Sequence, residues 1–531
     1  MLLAIAALVP ITLFFITSLS RLHYPFPLEQ LEGSMLLAAE RVAQGLPIYI
    51  RPNFHFIPFM YGPAYYYVSG WAIRWLGAGF FPLRLISLVS TCGTLAIIYV
   101  FVLLDTRGTG RRRHLAALCG AGLYAAAYPW TREWFDLARL DSFYIFLLLL
   151  ALLCTRFSRR IHPVVAAALW TLAFLAKQTI LPVALVMLCH DWKRPRRLIA
   201  GVVSFLAFAA VSTGLLNHAT QGWFRFYTFT VPHANADLLL RPAVFYIPQQ
   251  VLAPFGMALL VIAVSWMGSY SAAPGRMLHS IAGRFYLLAA GSTFGLCWFL
   301  QAHGGATSNT PMPVYAVVAI LFGIAFGRID ASLAAEGRGI TAAHSIRTMR
   351  ESMQDPIRVL LLAGVGIPLL AWVYSPREFI PHPDLTSSNQ QLIAWARTFP
   401  GDVFLPAHPY EATLAGKPWH PDIAALHDAL RPEIPSIRQP LLEEIRELVE
   451  SERFDAIALD GTPEQALAEQ PWLPSDTARH YPLLGKIPGS DIWDGFAPHP
   501  TFFLLPCREK ALAVAQGWTL LETAGQSSCP H

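Results

Sequence analysis

The most constraining feature of this chain is a repeated alternation. Long apolar runs are separated by gaps, and every second gap is rich in arginine. A helix needs about 20 mostly apolar residues to cross a bilayer. Eleven runs are predicted as spans: roughly 2–19, 82–104, 115–130, 141–155, 163–176, 179–190, 198–216, 246–268, 285–301, 311–327 and 358–375. The first begins at Met1 without a basic leader or a small-residue cleavage pattern, so it is read as a retained helix rather than a signal peptide.

The arginines set the expected orientation, because cytoplasmic loops carry the excess of Lys and Arg. Arg107 and Arg111–Arg113 follow the second span, Arg156, Arg159 and Arg160 the fourth, and Lys193, Arg194, Arg196 and Arg197 the sixth. Arg276 and Arg284 follow the eighth, and Arg328, Arg338, Arg347, Arg350 and Arg358 precede the last. These five gaps hold 18 of the 28 basic residues among residues 1–375. They are expected in the cytoplasm with the N-terminus. The loops 20–81, 131–140, around 177, 217–245 and 302–310 are then expected outside. Pro63–Gly77 is apolar, but a span there would push Arg111–Arg113 outward. It is therefore predicted as an interfacial helix, like the amphipathic stretch Gly33–Gly45.

Only here does composition matter. The chain is 54% hydrophobic and 14% charged, against about 25% charge in soluble domains. The average conceals a break near Ser375: residues 376–531 hold 11 Lys+Arg and 21 Asp+Glu. The predicted architecture is an α-helical polytopic membrane body, residues 1–375, followed by an outward soluble α/β domain, residues 376–531. In the tail, 403–406 and 456–460 read as strands, and 441–449 as an amphipathic helix. The segment between His408 and His420 reads as a turn-rich loop or as a support for an acceptor. Cys507 and Cys529 are either a disulfide or two free thiols. Disorder is excluded by the hydrophobicity. A nucleic-acid partner is excluded by a net charge of only +5 and by basic residues scattered in short loops.

Seven of the thirteen acids in the membrane body fall in the outward loops: Glu29, Glu32, Glu40, Glu133, Asp136, Asp141 and Asp237. Ionisable groups at membrane depth are costly and mark function. Glu29 and Glu32 share a face if the turn between them is helical. Near the membrane, desolvation makes a carboxylate a better base. The competing reading is a helix cap, with Glu32 favouring the dipole. Arg132–Asp141 reads either as an aromatic belt with solvated charges or as a second wall, with Arg139 suited to phosphate. Lys177-Gln178, isolated between apolar segments, either snorkels or neutralises an anionic head group. His233, His303 and Asn309 are weaker outward candidates. No Walker, Rossmann, H-E-x-x-H or paired C-x-x-C pattern occurs.

Several of these motifs, in this order and on one side, resemble the GT-C glycosyltransferases. They are the Glu29/Glu32-Gly33 loop, the Gly45-x-Pro-x-Tyr49 turn, the Gly62-Pro-Ala-Tyr-Tyr-Tyr67 helix, Arg84, Arg139-Leu-Asp141 and Ala176-Lys177-Gln178. The resemblance covers most of residues 1–375 and includes protein O-mannosyltransferases and lipid A aminoarabinose transferases. It implies a polyprenyl-phosphate sugar donor, transfer with inversion, and an essential acid in the first outward loop. That acid falls on Glu32 or Glu29, with Glu32 favoured because it directly precedes the amphipathic helix. Arg139, Lys177 or Arg84 would meet the donor phosphate. Asp141, Asp136, Gln178, His233, His303 and Asn309 would wall the site. Some relatives bind a divalent metal and others do not, and Glu29, Glu32, Asp136 and Asp141 offer oxygen ligands. The expected acceptor is an envelope glycan, lipid or protein at a bacterial inner membrane. A flippase for lipid-linked sugars or a membrane scaffold are the alternatives. A flippase should show repeats and charges at the midplane, whereas the polar groups here collect at one face.

Overall fold

A computed structural model describes residues 1–106, 110–157, 162–190, 192–234, 239–272, 280–303, 306–336, 359–459, 472–486, 502–522 and 529. A helix lies in each of the eleven predicted spans. They are α1 (Leu2–Arg21), α4 (Phe80–Asp105), α5 (Arg111–Ala126), α6 (Asp141–Arg156), α7 (Pro163–Ala176), α8 (Leu181–Leu188) and α9 (Pro195–Ala219). Then follow α10 (Leu240–Gly268) and α13 (Val359–Leu370), with α11 (Ile281–Gln301) and α12 (Met312–Glu336) between them. Five of these are long and apolar enough to cross a membrane among the described residues: α1, α4, α9, α10 and α12. Two shorter helices, α2 (Gln30–Ala43) and α3 (Pro63–Leu76), fill the first long loop, where Gly33–Gly45 and Pro63–Gly77 are expected to be helical.

Boundaries move where local chemistry outweighs hydropathy. The helix α5 starts at Arg111 rather than near 115, because arginine is a good helix former. It stops at Ala126, and Pro129–Thr131 forms a 3-10 turn. Within α10, Tyr246–Leu252 is a π-helical stretch around Pro248. A proline has no N–H to give to the regular ladder, and the wider turn accommodates that loss.

The alternation of loops is realised in space. Arg21 at the end of α1 binds Asp136 of the loop before α6 at 2.5 Å. Gln178 donates to the Met60 carbonyl at 2.8 Å, and Leu239 N–H donates to Ala302 O at 2.6 Å. The Tyr49 and Phe224 rings meet at 5.3 Å. All five basic-poor loops thus gather at one end of the bundle. At the other end, Arg156 makes a bidentate pair with Asp105 at 2.7 and 2.8 Å, and Arg112 pairs with Asp330 at 3.2 Å.

The C-terminal region forms a five-stranded mixed sheet, ordered β1-β2-β4-β3-β5. Its strands are β1 (Asp402–Phe404), β2 (Phe454–Leu459), β3 (Leu483–Lys486), β4 (Phe502–Leu505) and β5 (Thr519–Glu522). Only β1 and β2 run parallel. The helices α14 (Pro383–Thr398), α15 (Pro409–Leu414), α16 (Ile423–Leu430) and α17 (Pro435–Glu450) accompany it.

The buried apolar core continues from the bundle into this region. Phe54 meets Phe404 at 4.9 Å, Phe56 meets Trp419 at 4.5 Å, and Phe80 meets Tyr410 at 4.9 Å. The first long loop is therefore the seat of the tail.

Cys507 and Cys529 form a disulfide across 22 residues. A loop of this length implies a stabilisation of about 3 kcal/mol. Cys507→Ser should lower the unfolding temperature, and a reductant should shift the wild type but not the variant. An unshifted wild type would show that the bridge is not formed in solution.

Candidate active site

The site is built at the tail-bearing end, from the loops that carry Tyr61, Arg139, Lys177 and Asn309 and from the starts of α2 and α6. Glu29 is the N-cap residue of α2, in extended conformation and nearly buried. Three residues on, Glu32 sits in the first turn of the same helix with no exposure at all. Their partners differ. Glu32 accepts from Arg84 Nη2 at 2.7 Å, from the Leu28 N–H at 2.7 Å, and from the Ala138 N–H. Arg84 also donates to the carbonyls of Tyr24 and Phe26, at 2.6 and 2.7 Å. This pair is saturated: it fastens the α1–α2 connection to α4 and to the loop before α6.

Glu29 takes one side-chain cation, Arg139, at 3.1 Å. Arg139 also donates to the Tyr61 hydroxyl at 3.1 Å, and its guanidinium lies 4.8 Å from the Trp134 ring centroid. Its Nε is buried with no hydrogen-bond partner among the described residues. An orphaned charged donor is costly. Tyr61 is held by the Gly45–Tyr49 turn, because Tyr49 Oη donates to the Tyr61 carbonyl at 2.8 Å. The neighbouring Gly62 is obligatory: a Cβ there would lie 2.1 Å from the Leu175 carbonyl oxygen of α7.

A second polar set stands beside the first. Asp141 opens α6 and accepts from Lys177 Nζ at 2.8 Å and from Asn309 Nδ2 at 3.0 Å. Lys177 occupies the extended break after α7. The two sets communicate, since Asp141 acts electrostatically on both Glu29 and Arg139. Burial is the largest influence on Glu29 and raises its pKa, opposed by Arg139 and reinforced by Glu32. A carboxylate shifted upward is a stronger base.

The remaining predicted residues are placed elsewhere or do other work. Asp136 joins Arg21, Tyr128 and Glu133 in a separate network. Consecutive left-handed residues Arg132 and Glu133 bend the loop to allow it. Gln178 holds Met60. His303 binds its own helix at the Phe299 carbonyl, 2.7 Å away. His233 is exposed. Each of the four acids offered for a metal already has a cation: Glu29 has Arg139, Glu32 has Arg84, Asp136 has Arg21 and Asp141 has Lys177. Among the described residues no group of three or more His, Cys, Asp or Glu converges.

Sequence reasoning missed Arg21, which reads as a lone terminal arginine, and the tail's contribution to this region. Asp422 caps α16 by accepting from the Ala424 N–H at 2.8 Å, and lies 3.3 Å from Ser34 Oγ on α2. Burial lifts its pKa to about 7, with Glu29 adding to the rise. Its proton is held more tightly folded than unfolded. The stabilisation from that proton is therefore complete below the ordinary carboxylate pKa and is lost as pH rises toward 7. Asn imitates the neutral carboxyl and keeps the cap. Asp422→Asn should thus raise the unfolding temperature at about pH 8, with the gain vanishing near pH 4. An equal gain at both pH values would count against this account.

In fold, the bundle and tail sheet are similar to solved glycosyltransferases of the GT-C class. One is ArnT, a lipid A aminoarabinose transferase, from Cupriavidus metallidurans bound to undecaprenyl phosphate. It is 14% identical, with a TM-score of 0.55 over 88% of this chain and 94% of that one. Another is the Archaeoglobus fulgidus oligosaccharyltransferase in its apo form, 12% identical, with a TM-score of 0.55 over 91% and 72%. At these identities the likeness is one of fold. No family model matches the chain, and no curated protein sequence matches it.

Proposed function

We propose that this protein is an integral-membrane glycosyltransferase. It moves a sugar from a polyprenyl-phosphate donor to a hydroxyl of an envelope glycan, lipid or protein, with inversion, outside the bacterial inner membrane. The observation that carries this reading is the juxtaposition of Glu29–Arg139–Tyr61 with Asp141–Lys177–Asn309 at one end of an apolar bundle. Glu29 is the base that removes the acceptor proton as the oxygen attacks the anomeric carbon. Arg139, with its orphaned Nε, and Lys177 stabilise the phosphate that leaves. Glu32 and Arg84 hold the loop in place. The undecaprenyl phosphate bound by ArnT supports the donor class.

A groove of about 530 Å³ supports it too. It lies between α10, α11 and α12 and is lined by apolar side chains such as Val251, Ile262, Phe294 and Val317. Its upper residues neighbour Tyr246 and Cys297, and Cys297 lies within electrostatic reach of Lys177. An isoprenoid chain lying there would bring its phosphate toward that lysine. The outward placement rests on the arginine asymmetry and agrees with a disulfide in the tail.

Mass spectrometry of envelope glycolipids and glycans, with and without the gene, is the direct test. Loss of a single sugar names donor and acceptor together. An unchanged profile refutes transfer, and lipid-linked sugar accumulating on the cytoplasmic side favours a flippase.

A further inference from the structure

The Gly45–Tyr49 turn has a second face that the transfer reaction does not use. Between the C-terminal end of α2 and the side of α3 lies a cleft of about 430 Å³, lined by Leu46, Pro47, Tyr67, Trp71 and Arg74. Gly45, at φ +80°, makes the turn that forms its far wall. Arg74 is held in place: Nε donates to the Ala43 carbonyl at 2.7 Å and Nη2 to that of Val42 at 3.2 Å. Its Nη1 makes no hydrogen bond to the described residues. No acidic side chain lines the cleft.

The surroundings say what kind of surface this is. Trp71 and Trp75 are 64% and 75% exposed, and their rings meet at 6.1 Å. Tyr67, Val68 and Leu76 are exposed on the same helix. The start of α3 rests on the end of α7 through the Gly62–Leu175 contact. Leu172 of α7 and Val89 of α4, the two helices that pack against α3, are exposed apolar side chains as well. Tryptophan and tyrosine over such a surface, with an arginine at its edge, match the head-group level of a bilayer.

We propose that this cleft binds the phosphate of an anionic glycerophospholipid from the adjoining leaflet. Arg74 meets the phosphate, and Trp71 and Tyr67 cover the glycerol and upper acyl region. Because Arg74 already holds the last carbonyls of α2, a bound phosphate steadies the helix that presents Glu29 at its other end. None of these side chains touches the Glu29 centre, so lipid binding is read without any measurement of sugar transfer.

The test uses the full-length protein in detergent, with native mass spectrometry and thermal unfolding. Phosphatidylglycerol should bind about fivefold more tightly than phosphatidylcholine and raise the unfolding temperature. Arg74→Gln should remove that preference, and Trp71→Ala should weaken the binding of both lipids. Arg74→Gln also loses its hold on the end of α2, so if it fails to fold, the exposed Trp71→Ala decides. Equal binding of the two lipids, or binding unchanged by Trp71→Ala, overturns the proposal. So does an identical shift with inorganic phosphate alone, which would assign the site to free phosphate.

Discussion

Glu29→Gln is expected to reduce sugar transfer by about 10²–10⁴-fold, the range associated with loss of a general base, while undecaprenyl phosphate still binds. The variant keeps the size and the N-cap position of the side chain but cannot accept a proton. Arg139 retains Tyr61 as a hydrogen-bond partner and the Trp134 ring beside it, so the side proposed to meet the phosphate is preserved. The readout is single-turnover transfer alongside lipid binding on the same preparation. Unchanged transfer would remove Glu29 from the mechanism. Loss of both transfer and lipid binding would assign it to ground-state organisation instead. The pH profile adds a separate check. Burial raises the Glu29 pKa, so the rising limb of wild-type activity should lie above the usual range for glutamate.

Arg84→Gln is expected to cost about 3–5 kcal/mol, the usual penalty for leaving one partner of a buried ion pair behind. The Glu32 carboxylate would keep two backbone N–H donors but lose the side-chain cation it pairs with. The carbonyls of Tyr24 and Phe26 would lose their donor as well. Arg84→Lys should recover little, because an ammonium cannot reproduce the planar fork that reaches several acceptors at once. Thermal unfolding and the yield of monodisperse protein report this effect. A variant with wild-type stability and altered donor affinity would return Arg84 to the phosphate.

These two expectations separate residues that are alike in sequence. Glu29 and Glu32 lie three positions apart at one helix start, and the resemblance favours Glu32. In the structure Glu32 is the saturated one. It takes Arg84, the Leu28 N–H and the Ala138 N–H, whereas Glu29 shares an arginine that has a donor to spare. Similarly, Arg84, Arg139 and Lys177 are equal candidates for phosphate on residue type. Only Arg139 and Lys177 lie with Glu29 and Asp141, and Arg84 is consumed by the connection it secures. Asp136 is drawn away by Arg21, a partner 115 residues earlier that nothing local announces.

The sequence alone determined the apolar body, with a helix in each of its eleven apolar runs, the two short helices of the first loop and the end at which the acids collect. These follow from hydropathy over about 20 residues and from charge in short loops, properties that need no knowledge of distant neighbours. Tertiary structure alone decided which carboxylate meets which cation, where the tail is seated, and that Arg139 keeps a buried donor without a partner among the described residues. Glu29 finds Arg139 across 110 residues, and Asn309 finds Asp141 across 168. Pairings at such separations depend on how helices pack and on which groups burial leaves without water. That is a property of the assembled bundle, not of any single segment.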